Sequence, residues 1–232
     1  MKMRSTVLMA AGALSLIALG SGCAKDSQND AMNREDGRLA AARAKFEESE
    51  RKPISADTRF AAGQLAEGQG DIGNAIAQYQ AALKINPKHA ASLFRMACIY
   101  TGQRNFDEAI ETWRRFIAAT NNGATGYSNL GFCYELAGRP TDAETAYKTG
   151  ITREPTNQAC RVNYGLMLAR QGKLDLAQAQ LAAVLQPAEV HYDIASVLEA
   201  QNKTADAKAE YRKALEIDPN MADAQARLAA LE

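Results

Sequence analysis

The side chains able to do chemistry are few and scattered. The chain has two histidines, His89 and His191, and four cysteines, Cys23, Cys98, Cys133 and Cys160. A metal centre or a thiol–imidazole pair needs such residues in sets at ligand spacing, and these stand alone. No stretch reads as a phosphate-cradling G-x-x-x-x-G-K-S/T loop, an H-E-x-x-H metal helix or a G-x-S-x-G nucleophile turn. Carboxylates are plentiful, but they fall in mixed-charge runs such as "EESERK" and "KAEYRKALE". Paired charges on a solvated helix face are worth about 0.3–0.5 kcal/mol and imply no catalysis. The sequence therefore predicts a non-enzyme with no catalytic residues, no metal and no cofactor. His89 and His191 read as surface or capping side chains, and Cys98, Cys133 and Cys160 as small buried residues between helices.

Composition narrows the field. Of 232 residues, 47% are apolar, much of that Ala, and only 6% are aromatic. Alanine is the strongest helix former and loses no side-chain entropy, so a helical chain with closely packed helices is predicted. Charge is balanced, 27 basic against 27 acidic residues. A nucleic-acid binder shows a basic excess or stripe, and with neither present nucleic acid is not an expected partner.

The start of the chain is a separate problem. Lys2 and Arg4 precede the apolar run "VLMAAGALSLIALG", too short to span a bilayer comfortably, and the run leads into "GSGC". This resembles the lipobox leader of bacterial lipoproteins, in which the Cys becomes the first mature residue and carries acyl chains. The resemblance implies a signal peptide over 1–22, lipidation at Cys23 and a flexible tether over 23–35 containing "AKDSQND". It departs from the family at Gly20, where Leu is usual, with Leu19 one place earlier. By the same resemblance, Ala24 rather than Asp after the Cys implies the outer membrane, with the protein facing the periplasm. Ordinary secretory cleavage nearby, leaving a soluble exported protein, is the alternative. Either way the three remaining cysteines are odd in number and cannot all pair internally.

Beyond the leader the chain repeats. Ala75, Ala109, Ala143, Ala177 and Ala207 are spaced by 34, 34, 34 and 30 residues. Twelve residues before each stands a small residue: Gly63, Ala97, Gly131, Gly165 and Ala195. Four residues after each stands a large one: Tyr79, Trp113, Tyr147, Leu181 and Tyr211. Pro87, Asn121, Pro155 and Pro219 close units. The spacings place the small and large residues on single helical faces, so that two helices cross closely where the side chain is smallest. Such a pair cannot bury its apolar face alone and must stack on neighbours. Gly70, Gly138, Gly172 and Asn202 are placed to end first helices.

This pattern resembles the tetratricopeptide repeat, W-x2-L-G-x2-Y then A-x3-F then P at a period of 34. The fullest copy is "YSNLGFCYELAGRPTDAETAY", with Tyr127, Leu130, Gly131, Tyr134, Ala143 and Tyr147 in place. The resemblance implies an all-α, right-handed α-solenoid of five helix pairs with capping helices at both ends. The units are 56–89, 90–123, 124–157, 158–187 and 188–221, between a capping helix at 36–55, with Phe46 facing inward, and another at 222–232. The short interval before Ala207 is read as a shortened turn between units four and five, with Pro187 in the first turn of the next helix. A neutral loop deletion and a functional bend both fit it. Phe116 and Gly150 stand where a small residue such as Ala is usual, and a mid-helix Gly costs about 1 kcal/mol against Ala.

First helices line the inner wall of such a stack. Their residues off the packing stripe are Phe60, Gln64, Phe94, Arg95, Asn129, Phe132, Asn163, Leu166, Arg170, Tyr192 and Asp193. Rings offer area and amides and arginines offer hydrogen bonds, a mixture suited to a protein or peptide segment. The family resemblance implies that Asn129 and Asn163 bond a bound peptide backbone. Phe60 and Gln64 stand where the family's carboxylate clamp needs Lys and Asn, which argues against chaperone-tail binding. The expected function is a lipoprotein scaffold for an envelope assembly, similar in plan to pilotin-type lipoproteins of type IV and tight-adherence pili. The alternative is a self-associating structural protein, a homo-oligomer without a dedicated ligand. A regulatory fragment of an enzyme is a third reading, and the repeats leave no room for a catalytic domain.

Overall fold

The computed structural model of the chain describes residues 35–45, 53–121 and 123–231. The leader, Cys23, most of the tether and Phe46 lie outside the described residues. The chain divides into two units, Met1–Pro53 and Ile54–Glu232. In the first, residues 35–45 form helix α1, exposed along its length. No helix among the described residues is long and apolar enough to cross a membrane.

The second unit is a series of helix pairs. They are α2 (Ala56–Gly68) with α3 (Ile72–Ile85), α4 (Ala90–Gly102) with α5 (Phe106–Ala119), and α6 (Ala124–Leu136) with α7 (Pro140–Arg153). Then come α8 (Gln158–Arg170) with α9 (Leu174–Leu181), α10 (Pro187–Ala200) with α11 (Thr204–Ile217), and a closing α12 (Ala222–Leu231). Each helix packs on the next in sequence, and α8 also touches both α6 and α10. This is the all-α solenoid that the repeat implies.

Local chemistry sets the boundaries. Ser55, Asp71 and Asn157 accept backbone N–H groups at the starts of α2, α3 and α8, satisfying donors that have no partner inside the helix. Pro140 and Pro187 open α7 and α10, where a missing N–H is harmless. After each first helix one residue takes a left-handed conformation: Gly70, Arg104, Gly138, Gly172 and Asn202, with φ between 59° and 78°. Arg104 was not signalled by the sequence; an ordinary side chain there costs about 1–2 kcal/mol.

The core follows from the ruler residues. Ala75, Ala109, Ala143, Ala177 and Ala207 are fully buried, as are Tyr79, Tyr147, Leu181 and Tyr211. A Cβ on Gly131 would sit 2.5 Å from Cε1 of Tyr147, so only glycine lets that ring lie across the helix. Between units the volumes are complementary. Phe116 packs where a Cβ on Gly126 would meet it at 3.2 Å. Gly150 faces Cys160, whose Sγ would be 2.4 Å from an added Cβ. The two apparent misfits of the repeat are therefore halves of matched pairs.

The shortened interval has a different cause from the one expected. The turn is not what shrinks. Helix α9 has 8 residues where α3, α5, α7 and α11 each have 14. The following link, 182–186, and α10 are each one residue longer than their equivalents, leaving a net loss of four. At the other end Met221, Leu228 and Leu231 pack α12 onto the last core cluster.

Candidate binding groove

The first helices α2, α4, α6, α8 and α10 carry all eleven wall residues read from the sequence. Their surroundings divide them. Phe60 is half-buried, its ring 5.6 Å from Tyr79 and 5.4 Å from His89. Phe94 is half-buried in edge-to-face contact with Trp113 at 5.4 Å, with Phe116 at 5.6 Å. Tyr192 lies 5.7 Å from Tyr211. These three rings face the second helix of their own unit, and of the three phenylalanines read on the wall, Phe60, Phe94 and Phe132, the last alone is exposed. That side chain is 45% exposed, and Leu136, one turn further on, is 41% exposed.

The polar residues also sort. Arg95 is ion-paired with Glu67, and Arg170 with Glu135 at 2.5 Å. The two arginines are thus engaged within the molecule, a correction to their reading as free groove donors. Asn163 donates from Nδ2 to Ser128 Oγ at 3.0 Å. Asn129 is half-buried and makes no side-chain hydrogen bond among the described residues, and Gln64 is exposed. Leu166, Arg170 and Asp193 line one hollow, of about 380 Å³, with Ser196, Val197, Ala200 and Gln201. Gln201 donates from Nε2 to the Arg170 carbonyl at 2.7 Å. Tyr192 and Asp193 line a second hollow, of about 270 Å³, with Leu185, Glu189, Met221 and Asp223.

One recurring arrangement was missed in the sequence. Tyr79, Tyr147 and Tyr211 donate their hydroxyls to Glu67, Glu135 and Glu199 at 2.6–2.7 Å, each glutamate twelve residues earlier. An arginine from the next unit, or from α12, completes each set: Arg95, Arg170 and Arg227. Burial and the glutamate push the Tyr79 and Tyr211 pKa up to about 12. Burial alone would raise the Glu67 pKa, but hydrogen bonds from Arg95 and Tyr79 outweigh it and lower it. Units two and four carry Trp113 and Leu181 instead, with Thr101 and Ala169 in place of the glutamate. The signal was present: Glu stands twelve before Tyr wherever the large ruler residue is Tyr.

Nucleophiles are absent from the wall in any useful form. Cys133 and Cys160 are buried and Cys98 half-buried, all as free thiols. Burial pushes the Cys160 thiol up to about 11, away from the reactive thiolate. His89 caps α4 and bonds Asp57 at 3.0 Å, and His191 bonds Glu210 at 2.7 Å. Among the described residues no group of three or more His, Cys, Asp or Glu is placed to hold a metal.

Stacked helix pairs with a partly open wall define an α-solenoid of the protein-interaction class. The chain belongs to the tetratricopeptide repeat family, whose repeat matches residues 60–124, 94–158, 134–190 and 188–221. As a member it is a protein-interaction scaffold, and no enzymatic family is indicated. It is similar to the general transcriptional corepressor trfA of Dictyostelium discoideum, 27% identical over 126 residues, 53% of this chain and 9% of that protein. It is also similar to the photosystem I assembly protein Ycf3 of Parasynechococcus marenigrum, 32% identical over 113 residues, 44% of this chain and 64% of that one. The chain thus spans only a small part of the corepressor and under two thirds of Ycf3.

Solved structures share the fold. YrrB, a TPR protein with an unusual peptide-binding site, gives a TM-score of 0.54 at 20% identity, covering 78% of this chain and 96% of that one. PilW, a type IV pilus biogenesis factor, gives 0.54 at 23%, covering 69% and 76%.

Proposed function

We propose that the protein is an exported lipoprotein, anchored through Cys23 to the outer membrane and facing the periplasm. It holds a segment of a partner protein against α6, α8 and α10 and so scaffolds an envelope assembly. The observation that carries the reading is the apolar strip of exposed Phe132 and Leu136 with half-buried Leu166 on the adjacent first helix, beside the hollow lined by Arg170 and Asp193. Exposed aromatic and aliphatic side chains grouped on one wall lower solubility unless something covers them. Family membership supports a protein or peptide as the cover. The pilus biogenesis role of PilW and the assembly role of Ycf3 belong to those proteins; they lend plausibility to an assembly task. The polar run after "GSGC" supports the anchor.

Two measurements test this. Crosslinking in the envelope should capture a defined partner with the parent chain, and Phe132→Ala plus Leu166→Ala should abolish the capture. Undiminished capture by that double variant removes the groove. Cys23→Ser should move the protein from the membrane to the soluble fraction, and unchanged fractionation refutes lipidation. Sizing at rising concentration separates a scaffold, monomeric throughout, from self-association.

A further inference from the structure

Among the described residues, Asp193 is the half-buried carboxylate that no donor meets. The others are all satisfied. Glu67, Glu135 and Glu199 receive tyrosine hydroxyls. Asp142, Glu144 and Glu210 are held by cationic side chains, and Asp218 by the N–H of Asn220. Burial, with a contribution from Glu189, pushes the Asp193 carboxyl above its usual range. That is the direction expected of a charge that neither water nor a partner fully compensates. Leaving it so opposes folding, and the molecule gives no internal return for it.

Two hollows meet at this side chain. The one between α8 and α10 presents apolar surface from Leu166, Val197 and Ala200. The one bounded by the link, α10 and α12 presents Leu185, Tyr192 and Met221, with Glu189 and Asp223 beside Asp193. Arg170 is the one cation lining the first hollow, its guanidinium already held by Glu135, and no cation lines the second. Three carboxylates around an apolar hollow, none of them ion-paired, complement a cation on an alkyl stem.

We propose that the junction of these hollows is a socket for a lysine or arginine side chain of a partner segment, whose neighbouring apolar residue seats on Leu166 and Val197. The proposal rests on the groove reading above and narrows it to segments that pair an apolar with a basic residue. The stem lies along Tyr192 and Met221, the cation reaches Asp193, and the Tyr192 ring adds attraction through its face. A free carboxylate terminus is repelled by the same three groups, consistent with the missing carboxylate clamp in the first unit.

The test uses the purified full chain and labelled glycine–serine peptides with a central Leu-Lys, Leu-norleucine or Leu-Glu, read by fluorescence anisotropy. The Leu-Lys peptide should bind about tenfold tighter than Leu-norleucine, the size of a hydrogen bond to a charged group, and Leu-Glu weakest. D193N should remove most of the preference for Leu-Lys over Leu-norleucine while its thermal midpoint holds or rises, which separates lost recognition from lost folding. Glu189→Gln plus Asp223→Asn should reduce the preference without abolishing it. Binding of all three peptides with equal affinity, or a lysine preference undiminished in D193N, overturns the socket and leaves the groove standing. Failure of every peptide to bind overturns both.

Discussion

Phe94 and Phe132 sit on first helices of neighbouring units, yet one is packed away and the other meets solvent. The difference is a shift of bulk by one helical turn. At the position of Phe94 the five units carry Phe60, Phe94, Ser128, Val162 and Tyr192; one turn later they carry Gln64, Cys98, Phe132, Leu166 and Ser196. In the first, second and fifth units the ring comes early and lies against an aromatic of the second helix. In the third and fourth units the early residue is smaller and the bulk comes late, where α6 and α8 leave it uncovered or half-covered. The flanking units use their rings for stability. The third unit leaves its ring in solvent, and the fourth leaves a leucine half-covered.

Alanine replacements sharpen that contrast most. Phe94→Ala should cost about 3 kcal/mol, at the low end for a buried Phe because the ring is only half-buried, and lower the midpoint of denaturant unfolding accordingly. Phe132→Ala should stay within about 0.5 kcal/mol of the parent. Equal losses at the two sites would break the distinction between flanking and central units. Next in size, Gly150→Ala should cost about 1–3 kcal/mol by overpacking against Cys160. Adding Cys160→Ala should recover part of it, and strict additivity in that double-mutant cycle would count against a matched pair. Glu135→Gln should cost about 1–2 kcal/mol, because Arg170 loses a charged partner and the Tyr147 hydroxyl a charged acceptor.

The smallest effect has the opposite sign. Asp193 has a raised pKa in the folded chain, so the fold favours its protonated form. Its contribution to stability is fully present below the ordinary aspartate pKa and is lost as pH rises through the raised one. Glu189 and Tyr192 on α10, Arg170 on α8 and Asp223 on α12 are the charged or titratable groups sharing its hollows. Asp193→Asn should therefore be slightly more stable than the parent at neutral pH, with the gap closing as pH falls across that window. Thermal melts at several pH values check this, and a less stable Asp193→Asn at neutral pH would mean that an internal donor had been serving the carboxylate.

Helix pairing was readable in the residues because it depends on local size at fixed steps. Gly131 must be small where Tyr147 crosses, and that demand repeats in every unit. The wall was harder to read. Whether Phe60 or Phe94 faces a guest or its own second helix depends on Tyr79, His89, Trp113 and Phe116, residues distant in sequence that only packing brings together. Arg95 and Arg170 read as free donors because their glutamates lie in the preceding unit. The deficit before Ala207 was placed in the turn because loops tolerate length change cheaply, whereas the loss falls within α9. Phe116 and Gly150 read as faults when each was compared with its own column instead of with Gly126 and Cys160 across the joint.

The tyrosine–glutamate–arginine sets have a mechanical consequence. Arg95 fastens the first unit to the second, Arg170 the third to the fourth, and Arg227 the fifth to the closing helix. The ties thus differ in kind along the rod: where those ion pairs are missing, Arg114 bonds the Tyr134 hydroxyl across the second-to-third joint and Gln201 bonds the Arg170 carbonyl across the fourth-to-fifth. Salt screens ion pairs more than hydrogen bonds to neutral groups, so rising ionic strength loosens the first-to-second and third-to-fourth joints before the other two.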